Sequence, residues 1–246
     1  MNFGLFIPCY LDQLYPQVGI ATLQLLERLG LSVTYPTNQT CCGQPMANSG
    51  FEHLTQATSQ NFVTNFSEFD YIVCPSGSCT LHIKDHLQDD IHPDTAISIR
   101  KKTFELTEFL TDIIGIKKLE AHFPHKVGLH QSCHGLRGLG LSQMSELVAF
   151  PFSKPENLLS MVTGLELIEL ERKDECCGFG GTFCVFEEAV SVKMGQDRMA
   201  DHITHGAEYI TGVDMSCLMH LDGILRRQKS KVKAIHIAEI INSVKK

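Results

Sequence analysis

The sequence contains no long apolar run, and no segment has the roughly 20 consecutive apolar residues that a membrane-spanning helix needs. It also has no run of lysine or arginine, and its net charge is −7. Surfaces that bind nucleic acids or anionic lipids carry clustered positive charge, so the sequence argues against both functions. Its apolar content of 43% and charged content of 20% are typical of a globular protein.

A signal peptide is also missing from the N-terminal residues. Met1–Leu5 carry no basic segment and no small-residue cleavage site, and they predict a first strand instead. We therefore expect a cytoplasmic protein. In a reducing compartment, its ten cysteines are expected to be metal ligands or redox groups rather than disulfides.

Several cofactor motifs are absent as well. There is no C-x-x-C pair, which argues against a dithiol redox motif, and only Cys74-x4-Cys79 comes close to the spacing of a zinc knuckle. There is no ferredoxin-type cysteine run, no G-x-G-x-x-G and no recognisable flavin motif. Any redox activity of this chain is therefore expected to require partner proteins.

What the sequence does contain is the tripeptide Cys-Cys-Gly, twice, at Cys41–Gly43 and Cys176–Gly178. Each copy has one lone cysteine before it and one after it, so that eight of the ten cysteines follow a C…CCG…C pattern. The pattern cysteines are Cys9, Cys41, Cys42 and Cys79 in the first copy, and Cys133, Cys176, Cys177 and Cys217 in the second.

The sequence around these cysteines repeats too. Phe3–Cys9 aligns with Val127–Cys133, and Tyr71–Cys79 aligns with Tyr209–Cys217 without gaps. We interpret this as an old duplication that produced two halves, 1–120 and 121–246. Each half has the size of an ordinary domain and is long enough to bury a core.

Short apolar segments alternate with helical patterns in both halves. The predicted strands are Phe3–Ile7, Leu31–Tyr35, Tyr71–Val73, Val127–Leu129 and Leu165–Leu170, and the clearest predicted helices are Ile20–Leu29 and Ala189–Ile203. This alternation favours βαβ units, so we predict an α/β protein made of two pseudo-repeated, Rossmann-like halves with parallel sheets. The pattern cysteines follow predicted strands, and their sites are expected at the carboxyl ends of those strands.

Three kinds of chemistry fit this cysteine pattern. Thiolates are the usual ligands of iron–sulfur clusters, and two adjacent cysteines can reach two irons of one cluster. Structural zinc is a second interpretation, although zinc normally takes cysteines spaced as knuckles. Thiol redox chemistry without a metal is the third.

The motifs resemble those of the CCG-domain (cysteine-rich domain) proteins, which include the B component of heterodisulfide reductase. More narrowly, the chain resembles the lactate utilization protein A family over almost its whole length. The matching motifs are Cys41-Cys42-Gly-Gln-Pro with Asn48-Ser49-Gly50, Pro75-Ser-Gly-Ser-Cys79-Thr80, Cys176-Cys177-Gly-Phe-Gly-Gly-Thr-Phe183 and His236-Ile-Ala-Glu239.

The resemblance implies an iron–sulfur electron-transfer subunit in a system that oxidises L-lactate to pyruvate. It implies that the eight pattern cysteines bind one or two [4Fe-4S]-type clusters. It also implies two partner proteins, lactate utilization protein B with ferredoxin-type iron–sulfur clusters and lactate utilization protein C.

Two histidines mark a departure from the heterodisulfide reductase pattern. Modules of that enzyme end in C-x-x-C, whereas here His82 and His220 stand in place of the last cysteine. A conventional four-cysteine cluster is therefore a simpler expectation than a five-cysteine cluster. Histidine can replace cysteine in some clusters, so both residues are candidate metal ligands.

Other residues near the pattern are also candidates. Cys74 and Cys184 could each supply a further thiolate to its half, or could be small buried hydrophobic residues. Arg137, His130 and His134 lie close to Cys133 in sequence and are candidate catalytic groups, through carboxylate binding or proton transfer.

Two alternative functions remain open from the sequence. In one, zinc or an inert cluster stabilises a scaffold or assembly module. In the other, the chain is part of a thiol–disulfide reductase of the heterodisulfide type.

Overall fold

The structure, a computed structural model, describes residues 1–244. Within this range the chain forms two four-stranded sheets in which every pair of neighbouring strands is parallel. The strands are β1 (Phe3–Leu5), β2 (Val33–Thr34), β3 (Tyr71–Cys74), β4 (Thr103–Glu105), β5 (Lys126–His130), β6 (Glu166–Leu167), β7 (Tyr209–Gly212) and β8 (Lys233–His236). The strand order is β2-β1-β3-β4 in one sheet and β6-β5-β7-β8 in the other, so the two halves share one topology.

Helices connect the strands on both faces. They are α1 (Cys9–Leu14), α2 (Pro16–Arg28), α3 (Gln44–Asn48), α4 (Gln56–Phe66), α5 (Gly77–His86), α6 (Pro93–Lys102), α7 (Leu106–Glu108), α8 (Lys154–Leu159), α9 (Phe183–Phe186), α10 (Glu188–Thr204), α11 (Met215–Arg227) and α12 (Ile237–Asn242). A 3₁₀ turn spans Glu52–Leu54, and π-helical turns span Phe109–Ile113 and His134–Gly138. No helix among residues 1–244 is long and apolar enough to cross a membrane.

The register of the strands confirms the sequence repeat. In the first sheet Phe3 pairs with Tyr71, and in the second Val127 pairs with Tyr209, which are the positions that the alignment equates. The central strands are apolar because helices cover both of their faces, and Ile72 is fully buried. The predicted α/β class with two parallel halves is therefore confirmed.

Two hydrophobic cores stabilise the fold. One lies within the first half, where Phe6 packs edge-on against Phe62 and Phe66 of α4. The other contains residues of both halves, such as Leu25 and Ile240. Because this second core is shared, the proposed division into domains 1–120 and 121–246 stays a prediction about evolutionary origin.

The two halves also meet where α5 and α11 begin. Asp214 caps α11, and its Oδ1 accepts hydrogen bonds from the Ser216 N–H (3.1 Å), the Ser216 hydroxyl and the Tyr10 hydroxyl (3.3 Å). Its Oδ2 accepts from the Ser78 N–H of the first half at 2.6 Å. The Gly77 N–H donates to the Val213 carbonyl at 3.1 Å. These bonds place the amino ends of α5 and α11 side by side.

Candidate metal centre

The pattern cysteines follow strands, as expected from the sequence. Cys9 begins α1 after β1, the first Cys-Cys pair follows β2, and Cys79 lies in the first turn of α5 after β3. The second half repeats this arrangement, with Cys217 in the first turn of α11. In a parallel sheet these positions lie at one edge, which is where open α/β folds build their sites.

All eight pattern cysteines line a single cavity of about 400 Å³. The cavity lies between the two halves, beside the hydrogen bonds that join α5 to α11. Its other walls include Tyr10, Asn48, His134 and Phe179. The fold has thus brought two distant sets of four thiols to one place.

In the first set, the thiols form a chain of neighbours. Cys41 lies within hydrogen-bond reach of Cys42 and Cys9, and Cys42 lies within reach of Cys79. Hydrogen bonds from Cys42 and Cys9 lower the pKa of the Cys41 thiol to about 2, and donation to Cys41 raises the pKa of Cys9. The first cysteine of the tripeptide is therefore the preferred thiolate of this set.

The second set repeats this geometry. Hydrogen bonds from Cys133 and Cys177 lower the pKa of Cys176 to about 2. Hydrogen bonding to Cys176 and Cys217 raises the pKa of Cys177. The Cys177 and Cys217 sulfurs and a ring nitrogen of His130 all lie within 4.8 Å of one another.

The glycine of each tripeptide shapes the loop around the sulfurs. Gly43 has φ +92° and Gly178 has φ +86°, in the left-handed region where a side chain is strained. Their N–H groups donate to the Sγ atoms of Cys41 and Cys176, both at 3.4 Å. Backbone N–H groups aimed at sulfur stabilise thiolates, as an anionic metal centre requires.

This donor set fits an iron–sulfur cluster. Each half supplies four thiols in a chain of neighbours, and a backbone N–H already points at a sulfur in both. The cavity between the halves also provides about 400 Å³ of space beside these thiols. Four thiolates can hold zinc as well, so the donor chemistry points to a metal centre without fixing the metal.

Cys74 and Cys184 lie outside the cavity lining. Cys74 is fully buried at the end of β3, among the apolar residues of the first core. The Cys184 thiol donates to the Gly181 carbonyl at 3.0 Å. Their surroundings match those of ordinary structural cysteines.

His82 and His220, which the sequence offered as metal ligands, do not line the cysteine cavity either. The His82 ring stacks on His86 with 5.1 Å between centroids, and burial followed by the repulsion of His86 lowers its pKa to about 4. The His220 Nε2 lies 3.3 Å from the Ser191 carbonyl, to which it donates. His220 lines a separate neighbouring cavity.

The candidate catalytic residues occupy three different environments. His134 lines the cavity directly. Arg137 is exposed, and its guanidinium lies 4.0 Å from the Cys133 Sγ and 3.8 Å from a carboxylate oxygen of Glu146. His130 is buried behind the second set of cysteines, with its Nδ1 3.2 Å from the Nε of Arg198.

Arg198 is a functional candidate that the sequence pattern did not reveal. It lies in the middle of α10 and is completely buried, although arginine is rarely buried without partners. Aligning the two halves offers the one available signal, because His130 occupies the position that Phe6 holds in the first half. A polar residue in place of a core aromatic predicts a buried partner, but not which one.

Comparison with known proteins agrees with this site. A family model described as "Cysteine-rich domain" matches residues 3–84 and 127–222, which contain both sets of cysteines. The chain is 41% identical to lactate utilization protein A of an Exiguobacterium species, covering 98% of this chain and 97% of that protein. It is 40% identical to lactate utilization protein A of Bacillus subtilis, over 99% and 100%. This chain belongs to the lactate utilization protein A family.

Among solved structures, the chain resembles a hypothetical protein from Helicobacter pylori with a TM-score of 0.60 and 12% identity. The match covers 100% of this chain and 49% of that one. At this identity the likeness concerns the fold alone.

Proposed function

We propose that this protein is an iron–sulfur electron-transfer subunit of a system that oxidises L-lactate to pyruvate. The observation that carries the proposal is the convergence of eight thiols, four from each half, on one cavity. The names of its relatives support the link to lactate.

The residues that would hold the clusters are the eight pattern cysteines. Cys9, Cys41, Cys42 and Cys79 would hold one [4Fe-4S]-type cluster, and Cys133, Cys176, Cys177 and Cys217 a second. Such clusters supply one-electron transfer when bound. The Gly43 and Gly178 N–H groups would stabilise the negative charge that accumulates on sulfur.

Two sets of ligands suit the electron count of the reaction. Oxidation of lactate to pyruvate removes two electrons and two protons, and each set would carry one electron. The halves share their cavity, so the two centres would lie near one another. Cys9 is exposed, and Val185 at the cavity is 73% exposed, which leaves an open side for a partner. We propose lactate utilization proteins B and C as the partners.

Metal content and mutation test the ligand assignment. Protein purified without oxygen should contain iron and acid-labile sulfide, and dithionite should change its visible and EPR spectra. Cys42→Ser and Cys177→Ser should each lose about half of the iron, because each removes a ligand from one set. Cys184→Ser is the matched control and should keep the wild-type iron content, because Cys184 lies outside the cavity.

The same preparation tests the substrate assignment. Lactate-dependent reduction of the clusters is measured after mixing with lactate utilization proteins B and C. Full iron with no reduction by L-lactate would reject the assignment to lactate. Zinc without sulfide, together with a spectrum that dithionite does not change, would replace electron transfer by the scaffold interpretation. Unchanged iron in both cysteine variants would contradict the ligand set.

A further inference from the structure

The two cysteine sets differ in what lies directly behind them. In the first half Phe6 packs against Phe62 and Phe66, with ring centroids 4.9 and 5.8 Å away. In the second half the equivalent position is His130, which is 1% exposed and contacts Arg198 of α10. At this one position the first set is therefore backed by an aromatic hydrocarbon ring, and the second by a polar, hydrogen-bonded ring.

Arg198 fixes which nitrogen of His130 carries the proton. Its Nε donates to His130 Nδ1 at 3.2 Å. The remaining guanidinium nitrogens are held by the Leu129 carbonyl at 3.2 Å, the Arg172 carbonyl at 2.6 Å and the Asp201 carboxylate at 3.2 Å. A guanidinium can only donate, so Nδ1 must accept, and the proton of the neutral imidazole lies on Nε2.

The Nε2 of His130 is buried and has no hydrogen-bond partner among residues 1–244. An unpaired buried donor destabilises the folded state, so a partner is strongly favoured. The Cys177 and Cys217 Sγ atoms are candidate acceptors, since a ring nitrogen of His130 lies within 4.8 Å of both. Once these sulfurs are metal-bound thiolates they are better acceptors than neutral thiols.

We propose that His130 donates its Nε2–H to a ligand sulfur of the second cluster and thereby raises the reduction potential of that cluster above that of the first. A donor to sulfur stabilises the reduced, more negative state more than the oxidised one. Phe6 offers no such donor to the first cluster. One electron would then move from the first cluster to the second. The first cluster would be oxidised and the second reduced, with no bond broken.

This inference rests on the proposed function, because it requires both sets to hold clusters. His130 would adjust the potential of the second cluster, and Arg198 is a positioning residue for His130. The difference in reduction potential sets the direction of electron transfer, with the second half as the site that holds the electron.

A redox titration of the full-length, anaerobically purified protein, followed by EPR, tests the proposal. Wild-type protein should show two separate potentials. His130→Phe should lower the higher potential toward the lower one, whereas His130→Gln, whose amide can still donate, should keep most of the separation. Phe6→Leu is the matched control in the first half and should leave the higher potential unchanged.

A second measurement decides the matter if His130→Phe folds poorly. Wild-type protein labelled with ¹⁵N-histidine should show a weak nitrogen coupling to the reduced second cluster in pulsed EPR, and His130→Gln should lack it. Full iron with two equal potentials and no nitrogen coupling would overturn this inference and leave the cluster proposal intact. Absence of iron and sulfide from the wild-type protein would instead overturn the proposed function.

Discussion

At the residue scale, the glycine of each Cys-Cys-Gly tripeptide has two separate structural duties. Its positive φ turns the chain sharply after the cysteines, and its N–H then points at the first cysteine sulfur. At Gly178 there is also no room for a side chain, because a Cβ would lie 2.6 Å from the Ser191 carbonyl oxygen. The glycine is therefore part of the site as well as of the turn.

Gly178→Ala is expected to lower the free energy of unfolding by about 3 kcal/mol and to reduce iron content by about half. The cost combines a strained φ with a clash against backbone. Gly206 is the matched control: it has φ +81°, but a Cβ there meets nothing within 4 Å. Gly206→Ala should cost about 1 kcal/mol and leave the iron unchanged. Denaturant unfolding and iron analysis check both variants, and equal losses in the two would contradict the steric explanation.

Single residues also show what the sequence could predict. The eight cysteines were identifiable because thiols in a repeated pattern have few other uses, and the structure places them together. The importance of Arg198 was not identifiable, since an arginine in a helix is usually exposed. Only the packing of α10 against β5 shows that it is buried and directed at His130.

At the scale of elements, α7 and α12 are equivalent helices that begin with different caps. Both have a capping box, in which Glu105 pairs with Glu108 and His236 pairs with Glu239. Burial raises the pKa of Glu105 to about 8, and burial lowers the pKa of His236 to about 4. The same local structure thus responds to pH in opposite ways.

The free energy of unfolding of Glu105→Gln, relative to that of wild type, should be greater at pH 8 than at pH 5. The folded state favours the protonated carboxyl, so its contribution to stability is full below the ordinary pKa of 4.5 and declines as pH rises toward 8. Glutamine keeps an oxygen to cap Thr107 and removes this dependence. The expected gain from pH 5 to pH 8 is on the order of 2 kcal/mol.

Urea unfolding of both proteins at several pH values measures this effect. Glu68→Gln is the control, because Glu68 is exposed and its replacement removes a charge without altering a buried cap. A difference between wild type and Glu105→Gln that stays constant from pH 5 to pH 8 would be incompatible with a raised pKa at Glu105.

The positions of the elements could be predicted more reliably than their lengths. The helix expected at Ile20–Leu29 corresponds to the later part of α2, which begins earlier, at Pro16. The helix expected at Ala189–Ile203 is α10. The strand expected at Leu165–Leu170 shrinks to the two residues of β6, an edge strand that pairs with β5 alone. Apolar pattern indicates burial, but strand length depends on the neighbouring strand.

At the scale of the whole molecule, Asp214 joins the two halves next to the cavity. It is 1% exposed, and it receives hydrogen bonds from its own helix, from Ser78 and from Tyr10. Cys79 and Cys217 each lie within three residues of these bonds. One carboxylate therefore joins the two helix ends that carry Cys79 and Cys217.

Asp214→Ala should lower the free energy of unfolding by about 3 kcal/mol and should reduce iron in both sites, because several buried donors lose their acceptor. Ser153→Ala is the control, since Ser153 caps α8 and makes no hydrogen bond to Asp214 in the described residues. That variant should lose about 1 kcal/mol and keep its iron. Iron loss confined to one site in Asp214→Ala would show that the halves hold their cysteines independently.

The sequence by itself determined the repeat, the alternation of strands and helices, and the thiol character of the site. These properties are local, because they depend on residue type and on spacing along one segment. Tertiary structure decided that the two sets share one cavity, that Asp214 links the halves, and that His130 rather than Phe6 lies behind one set. These depend on contacts between residues more than 60 positions apart, which arise only when sheets and helices pack.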